Sequence, residues 1–483
     1  MMNVTEQLAR FAIETPEGFL SAQDIASVKV KFLDTLATTL AGSQTPAARA
    51  ALALARELGG TAQATILGAG DATSLPMAAF VNGISGHALE YDDNTTGAGH
   101  ISVCLLPGCL AVAEHLDRPG RAMIEAFAMG FEIFCRIAWG LRPQLIDRGW
   151  HPQAVIGGQG VAVAACRLFG TDAMTARMAM GIVGSSATGL RKNVGSMGKA
   201  FHVGNGARAG VLAVLLARHG FEVDPDIIEG SDALPDGHER FGLADTYNGI
   251  GNYRLERMVD GLGAALEVGR NTTMVRLHPG SSAPAAAIDG MIELVKTHDL
   301  DPDAIASIVL ECTPQCLAIA PYTEPVDTYK AKFCIAYTMA VACMDRKVGI
   351  EQYTETRIRE PRVLDLMRRV TVTVPDDFSH HRGQWGENGV NWGEARVTVQ
   401  LKNGETLHRA CSHAIGWPER PATWEALCGK FEDCAAPVLS PTQIADAIAM
   451  IENLEHLPSV RDLTRALVTR PRPEASPRRG APD

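Results

Sequence analysis

The chain has 483 residues, with 55 acidic and 44 basic side chains and a formal net charge of −11. It is longer than a typical single domain, so at least two hydrophobic cores are expected. An acidic chain without long basic runs suits neither nucleic acid nor an anionic membrane as its partner. The sequence shows no apolar run long enough for a transmembrane helix and no secretory leader, so we expect a cytoplasmic protein.

The number and spacing of the cysteines further limit the class of protein that this can be. The 11 cysteines are scattered singly, and the closest pairs, Cys104/Cys109 and Cys312/Cys316, lack the spacing of zinc or iron–sulfur sites. The odd count and the apolar neighbours of most of these residues are typical of reduced, buried thiols. We expect no metal or cluster bound by cysteine.

The first part of the chain predicts one helix after another. Ser21 to Asp24 has the form of a helix start, and residues 120–141 place apolar side chains at helical spacing. Residues 204–219 are apolar on nearly all sides, which is typical of a buried helix. These patterns predict an all-α domain over residues 1–268.

After about residue 271 the pattern changes to alternating apolar and polar residues, which predicts half-buried strands. Asn403-Gly404 lies between two such segments and predicts a tight hairpin turn. Helical patterns at residues 283–298 and 332–344 lie among the strands, so we expect a smaller α+β domain over residues 269–412. The predicted strands are residues 306–312, 369–374 and 395–401.

Helical patterning returns at residues 421–439 and 440–455. We expect these helices to pack on the first domain, so that residues 413–465 complete it. Residues 466–483 end in a Pro/Arg-rich sequence without apolar periodicity, which predicts a disordered tail. The predicted fold class is mainly α: a large all-α helical domain with a second, smaller α+β domain.

One group of ionisable residues indicates chemistry. It runs His87-Ala-Leu-Glu90-Tyr91-Asp92-Asp93-Asn94, followed by His100. A helix over residues 77–91 would place His87, Glu90 and Tyr91 on one face. Titratable groups gathered at a helix end and in the next loop suit an acid–base centre. The alternative is a solvated acidic helix end followed by a capped loop.

The adjacent carboxylates of Asp92 and Asp93 could also bind a divalent cation. Such an ion needs further oxygen ligands, and the sequence does not reveal them. We therefore predict no metal site.

A second candidate spans residues 189–208, where a glycine-interrupted loop delivers Lys199 just ahead of a predicted helix and His202 follows three residues on. Backbone N–H groups at a helix start, together with a lysine, suit a carboxylate or a phosphate. The glycine spacing matches neither a Walker loop nor a dinucleotide-binding turn, so nucleotide binding gains little support. A surface loop with solvated lysines is the alternative.

Two further segments carry single candidates. Arg276 precedes a predicted helix and offers a planar fork for a carboxylate. His151 follows Trp150 at a predicted helix start, where a packed and hydrogen-bonded histidine is the alternative to a catalytic one. We assign the pair His380-His381 a structural or solvated role.

In this order, the segments resemble the MmgE/PrpD family, which includes 2-methylcitrate dehydratases, cis-aconitate decarboxylases and iminodisuccinate epimerases. The resemblance implies a large helical domain with a smaller α+β lid, an active site between the two, a homodimer and no cofactor. The segments that carry it are Asp34-Thr-Leu-Ala37, Asn82-Gly83, the run from His87 to His100, Gly149-Trp150-His151, residues 199–210, residues 276–289 and Ala331-Lys332-Phe333-Cys334.

The family's usual run is His-x-x-Asp-Phe-Asp-Asp-Thr. Glu90 therefore replaces an aspartate and Asn94 a threonine, both at positions that the family places in the active site. His100 matches the family's active-site histidine, Lys199 its lysine and His151 its Gly-x-His histidine.

The resemblance implies a cofactor-independent lyase, 2-methylcitrate dehydratase-like, that acts on a small di- or tricarboxylic acid by proton transfer. A second lysine of the decarboxylases falls on Arg276, and a permanently charged guanidinium suits binding better than proton transfer. The residues predicted to be catalytic are His100, Lys199, Glu90 and His151, and those predicted to bind substrate are Arg276, Asn94 and Asp93.

Two alternatives remain open at the level of the sequence. The replacements at Glu90 and Asn94 favour an epimerase of the iminodisuccinate type, and a cis-aconitate decarboxylase-like enzyme is compatible with the same residues. The second alternative is a non-catalytic carboxylate-binding protein. The joint presence of His100 and Lys199 argues against it.

Overall fold

The computed structural model describes residues 3–142, 144–229, 240–378 and 393–469. Within these ranges the chain is mainly α-helical, as the sequence predicts, and most of its strand residues belong to one small sheet. The His380-His381 pair and the chain from Arg470 onward lie outside the described residues.

Helices make up most of the first region. They are α1 (Val4–Glu14), α2 (Ala22–Gly42), α3 (Pro46–Leu58), α4 (Leu75–His87), α5 (Ser102–His115), α6 (Gly120–Gly140), α7 (Gln144–Asp147), α8 (Pro152–Val155), α9 (Gly157–Phe169), α10 (Ala173–Ser186), α11 (Met197–Arg218), α12 (Leu243–Asn248) and α13 (Glu256–Val259). The short strands β1 (Ala64–Thr65), β2 (Ala72–Thr73), β3 (Asn94–Thr95) and β4 (Thr273–Met274) form two antiparallel pairs, β1 with β2 and β3 with β4.

Local sequence signals account for these helix boundaries. Ser21 caps α2 through reciprocal hydrogen bonds with Asp24, as its sequence predicts. The helix predicted over residues 204–219 is the C-terminal part of α11, which begins earlier because the Ser196 hydroxyl accepts a hydrogen bond at its start. Lys199 therefore lies in the first turn of α11 and not ahead of it.

Two glycines allow α4 and α11 to cross closely. A Cβ atom at Gly83 would lie 2.9 Å from the Cα atom of Gly204, and one at Gly204 would lie 2.5 Å from the carbonyl oxygen of Phe80. Any larger residue at either position would force the helices apart. The crossing brings the end of α4 against the start of α11, which carries Lys199.

The second region is built on a four-stranded sheet. Its elements are α14 (Ala285–Thr297), β5 (Ile305–Cys312), α15 (Pro314–Ile319), α16 (Thr328–Ala331), α17 (Ile335–Asp345), α18 (Pro361–Met367), β6 (Val370–Thr373), β7 (Ala395–Leu401) and β8 (Thr406–Cys411). The strand order is β6-β5-β7-β8, with β5 parallel to β6 and antiparallel to β7. The predicted strands and the hairpin at Asn403-Gly404 are confirmed, and Gly404 adopts the positive φ that the turn requires. Helices α14 and α17 pack against this sheet and enclose a hydrophobic core of their own.

The C-terminal helices α19 (Trp424–Ala435), α20 (Pro441–Glu452) and α21 (Val460–Ala466) return to the first core. Helices α19 and α20 pack against α2, far away in sequence, as the helical patterning predicts. The predicted tail begins too early, because Leu467 and Val468 are buried and Gly68 N donates to the carbonyl of Leu467 at 2.9 Å.

Helix α11 is the one described helix with the length and hydropathy of a membrane span, and 67% of its most apolar window is buried in the protein. Helices α4, α9 and α10 surround it. Because these neighbours cover it, α11 is apolar on nearly all sides, as expected of a core helix.

Candidate active site

The loop after α4 carries most of the predicted residues, and the structure corrects its conformation. Helix α4 ends at His87, and Glu90 has a left-handed backbone with φ of 54°. The backbone N–H of Gly280 donates to the carbonyl of Glu90 at 2.8 Å. The helix predicted over residues 77–91 is therefore wrong at its end, and His87, Glu90 and Tyr91 do not share a helix face. A non-glycine residue in this conformation is a feature that clusters at functional sites.

A two-residue ladder joins this loop to the segment that carries Arg276. Strands β3 and β4 pair antiparallel, with Asn94 opposite Met274. The hydroxyl groups of Thr95 and Thr273 lie 3.1 Å apart across the same ladder. Because Arg276 follows β4 by two residues, the pairing of β3 with β4 brings its guanidinium close to the loop after α4.

Asp92 is the centre of the charged cluster and is fully buried. Its carboxylate lies 2.9 Å from Nδ1 of His87 and 2.9 Å from Nδ1 of His100, and Nη2 of Arg276 donates to it at 3.1 Å. Burial alone would raise the pKa of Asp92, but His87, His100 and Arg276 hold that pKa well below its usual value. Asp92 is thus a fixed negative charge that aligns two histidines and an arginine.

Arg276 is held by three hydrogen bonds within the protein. Nε donates to the carbonyl of Asp92 at 2.6 Å, Nη1 to the carbonyl of Gly280 at 2.8 Å, and Nη2 to the carboxylate of Asp92. Nη2 also lies 3.4 Å from Nδ1 of His100, so at least one of the five N–H groups of the guanidinium is left for a ligand in the cavity that Arg276 lines. The predicted contact with a substrate carboxylate would use that remaining donor capacity.

His100 lies in the loop just before α5. Its Nδ1 is 2.9 Å from the carbonyl of Asp93 and 2.9 Å from the carboxylate of Asp92, and its Nε2 is 3.4 Å from Nδ2 of Asn94. Burial outweighs the attraction of Asp92 and lowers the pKa of His100 to about 4. The ring is therefore neutral near pH 7, and one of its nitrogens can accept a proton.

Lys199 and Glu90 form a buried ion pair at the wall of the cavity, with Nζ donating to the carboxylate. Burial would raise the pKa of Glu90, but the charge of Lys199, followed by those of His87 and Arg276, lowers it to about 2. Glu90 is consequently a carboxylate at neutral pH. Lys199 retains two N–H groups for a ligand.

His151 immediately precedes α8, as its sequence predicts, and also lines the cavity. Its backbone N–H donates to the carbonyl of Gly189 at 3.0 Å, and its Nδ1 lies 3.2 Å from Nδ1 of His202. Burial, followed by the positive charge of Lys199, keeps the pKa of His151 well below its usual value, so the ring is neutral.

Asp93 does not line the cavity, in contrast to its predicted role in substrate binding. Its side chain is fully buried and accepts a hydrogen bond from the hydroxyl of Ser102 at 2.6 Å, and its backbone N–H donates to the carboxylate of Asp34 at 2.9 Å. Burial and the negative charge of Asp34 raise the pKa of Asp93 to about 7. Through these contacts Asp93 supports the loop.

Lys430 supports the site and was not among the residues predicted from the sequence. Its Nζ donates to the carboxylate of Asp34 at 2.5 Å and to the carbonyls of Tyr91 and Arg276 at 2.7 Å each. Its burial could be predicted from the sequence, because Lys430 lies beside Phe431 on the buried face of α19, and a buried lysine requires partners. The partners themselves could not be predicted, because they lie far away in the sequence.

The side chains of the site converge on a cavity of about 480 Å³, a size that suits a small ligand. The predicted residues that line it are Glu90, Asn94, His100, His151, Lys199 and Arg276. The α+β region contributes Ala318, Ile319, Pro321, Tyr322 and Phe333 to the same cavity. Tyr322 was not among the predicted residues, because it follows Pro321 in a segment without a recognisable motif.

His87, Asp92 and His100 form a potential metal-binding group, since one ligand atom from each lies within 4.8 Å of the others. However, Nη2 of Arg276 lies 3.1 Å from the carboxylate of Asp92 and 3.4 Å from Nδ1 of His100. A permanently charged guanidinium at this position repels a second cation and already uses the carboxylate as an acceptor. The chemistry of this donor set favours a hydrogen-bonded network.

Most of the chain is also similar in sequence to the two domains of a known protein family. Residues 6–239 match the MmgE/PrpD N-terminal domain, and residues 278–456 match the MmgE/PrpD C-terminal domain. The chain belongs to the MmgE/PrpD family. The resemblance seen in the ordered motifs is thereby confirmed.

Among MmgE/PrpD proteins, the chain is similar to several cis-aconitate decarboxylases over nearly its full length. It is 25% identical to that of Homo sapiens over 97% of this chain and 95% of the relative. It is 24% identical to that of Mus musculus over 97% of this chain and 94% of the relative. It is also 24% identical to that of Aspergillus terreus over 96% of each chain. Similarity at this level indicates shared family membership, and the substrate has to be argued from the site.

Proposed function

We propose that this protein is a lyase that removes carbon dioxide or water from a small di- or tricarboxylic acid by proton transfer, without a cofactor. The observation that carries the proposal is the convergence of a neutral histidine, His100, and two cations, Lys199 and Arg276, on one cavity. Because the relatives named above are cis-aconitate decarboxylases, cis-aconitate is the first substrate to test.

Substrate binding would rest on the unused N–H groups of Lys199 and Arg276. Each of these side chains already donates to a buried carboxylate, which fixes its position before a ligand arrives. Two fixed cations on one cavity wall suit a molecule with two carboxylates, and Asn94 adds a neutral polar contact. Preorganisation of this kind lowers the cost of ordering the site at the moment of reaction.

Proton transfer is assigned to His100, with His151, Lys199 or Glu90 as the opposing group. In a decarboxylation the bond to the carboxylate carbon breaks, its electron pair stays on the substrate, and a proton is added to carbon. In a dehydration a proton leaves the carbon next to a carboxylate, and the hydroxyl group departs with a proton as water. Both routes build negative charge on the substrate, which Lys199 and Arg276 would stabilise.

An epimerase of the iminodisuccinate type is the second candidate. It is favoured by Glu90 and Asn94, which replace the aspartate and threonine usual in the family, and it needs two acid–base groups at one carbon. His100 and His151 come from different segments and line the same cavity, which makes them the candidates for that pair of groups.

The two candidates are separated by incubating the purified protein in D2O with cis-aconitate, citrate, methylcitrate, tartrate and iminodisuccinate, followed by ¹H NMR. A lyase converts at least one acid into a product that lacks carbon dioxide or water. An epimerase exchanges a carbon-bound proton for deuterium without net loss of either. If no acid is converted or exchanged while one of them binds tightly, the protein is a carboxylate-binding protein and the proposal is wrong.

A further inference from the structure

His202 is a buried histidine outside the cavity, and the residue it contacts lies in the cavity wall. It follows Lys199 by one turn of α11 and is only 4% exposed. Its Nδ1 lies 3.2 Å from Nδ1 of His151, and the centroids of the two rings are 5.2 Å apart. His151 lines the cavity, whereas His202 does not.

Gly189 contacts both histidines, one through a hydrogen bond and the other through packing. Its carbonyl accepts the backbone N–H of His151 at 3.0 Å. A Cβ atom at Gly189 would lie 3.3 Å from Cγ of His202, and φ at this glycine is +139°, so the His202 ring packs directly on the bare backbone. The backbone of this loop therefore contacts both of the residues whose Nδ1 atoms meet.

A short Nδ1···Nδ1 contact between neutral imidazoles constrains where the protons are. Burial is the main influence that lowers the pKa values of His151 and His202, so both rings are neutral near pH 7. One Nδ1 must then donate and the other must accept, because two protonated or two unprotonated Nδ1 atoms would repel each other at this distance. The proton at Nδ1 of His151 decides whether its Nε2 is a donor or an acceptor.

We propose that His202 is a positioning residue that holds the ring of His151 and keeps it in one of the two tautomers that the Nδ1···Nδ1 contact allows. The inference rests on the proposed function, because the tautomer of His151 matters to catalysis only if proton transfer takes place in this cavity. His202 itself touches no substrate. Its role is to keep the ring nitrogen of His151 that serves the cavity in one protonation state.

Three substitutions separate positioning from simple packing. Asparagine at position 202 places an amide close to where Nδ1 lies, whereas glutamine places it further out and leucine fills the space without a polar atom. We expect His202→Asn to keep kcat within about fivefold of the wild type, and His202→Leu and His202→Gln to lower kcat roughly tenfold to a hundredfold with little change in KM. A packing role predicts the opposite order, since leucine replaces the imidazole volume better than asparagine does.

The tautomer is read directly from ¹⁵N chemical shifts in protein with ¹⁵N-labelled histidine, with His151 assigned from its glutamine variant. We expect one tautomer in the wild type and in His202→Asn, and a mixture in His202→Leu. His408→Leu is the matched control, because His408 contacts the hydroxyl of Thr398 at 3.0 Å on the exposed β7–β8 hairpin. Unchanged shifts of His151 in His202→Leu, or equal losses of kcat in the asparagine and leucine variants, would overturn the proposal. If the wild type converts no acid, the proposed function fails and the NMR result alone decides the role of His202.

Discussion

His100 lies beside a carboxylate that attracts a proton, in an interior that disfavours a charged ring. Burial is the stronger influence and lowers its pKa to about 4, against the pull of Asp92. A neutral imidazole is therefore present at the cavity wall at physiological pH, and this is the form that accepts a proton.

We expect His100→Gln to lower kcat by a factor of about 10² to 10⁴, because glutamine keeps a polar contact but cannot exchange a proton. Steady-state kinetics on the acid identified by NMR provide the measurement. His408→Gln, on the exposed hairpin, is the control and should leave kcat unchanged. A loss of less than about fivefold in His100→Gln would remove His100 from its assigned role.

A second prediction concerns the pH at which His100 gains a proton. Its pKa is lowered from 6.5 to about 4, so the ring stays neutral as the pH falls from 8 to about 5 and gains a proton only below that. ¹⁵N chemical shifts of labelled histidine, with His100 assigned from its glutamine variant, follow this directly. A titration of His100 centred near 6.5 would contradict burial as the dominant influence.

The two cations are predicted to respond differently to exchange. Arg276→Lys keeps the charge but loses the fork that bonds Asp92 and Gly280, so we expect KM to rise roughly tenfold or more. Lys199→Arg should depress kcat at least as strongly as it raises KM, if Lys199 handles charge that develops in the transition state. A lower kcat with unchanged KM in Arg276→Lys would show that its assignment to binding is wrong.

The sequence predicts which residue types form the site better than it predicts where each one points. Asp92 and Asp93 are neighbours with the same chemistry, yet Asp92 faces His87 and His100 whereas Asp93 faces Ser102. The two aspartates lie at a bend before β3, outside any regular element, so no periodicity in the sequence tells which of them faces which neighbours.

At the scale of elements, periodicity predicts the helices and strands but not the end of α4. The pattern up to Tyr91 is compatible with a helix, and the turn at Glu90 depends on a hydrogen bond from Gly280, which lies in a distant part of the chain. The same reasoning applies to the β3–β4 ladder. Its two residues on each side are too few to leave a strand pattern, yet they bring Arg276 to the loop.

Helix α19 connects the end of the chain to the site through Lys430. We expect Lys430→Met to lower the free energy of unfolding by about 3–5 kcal/mol, because it removes the ammonium group that balances the buried charge of the Asp34 carboxylate. Denaturant unfolding measures the change, and Lys402→Met, at an exposed position, is the control. Asp34→Asn in the same chain should restore part of the loss. A loss below about 1 kcal/mol would show that this ion pair does not hold the C-terminal helices to the loop.

At the scale of the whole molecule, the described residues form two large hydrophobic cores and a smaller cluster around α3 and α4, and the C-terminal helices belong to the first core. The changes in sequence pattern near residue 271 and near residue 413 are sufficient to suggest this arrangement, because helical and strand periodicities differ. The domain boundaries, the homodimer and the cytoplasmic location stay predictions. They depend on contacts and surroundings that a single chain does not contain.

Turnover of the polycarboxylate by protein treated exhaustively with EDTA decides whether the acid–base groups of the cavity act without a metal ion. Because the guanidinium of Arg276 already contacts Asp92 and His100, two of the three candidate metal ligands, we expect loss of carbon dioxide or water from the acid at a rate within about twofold of the untreated protein. Absence of turnover by both preparations, or activity that disappears with EDTA and returns with a divalent metal, would contradict a lyase that uses only the acid–base groups of this cavity.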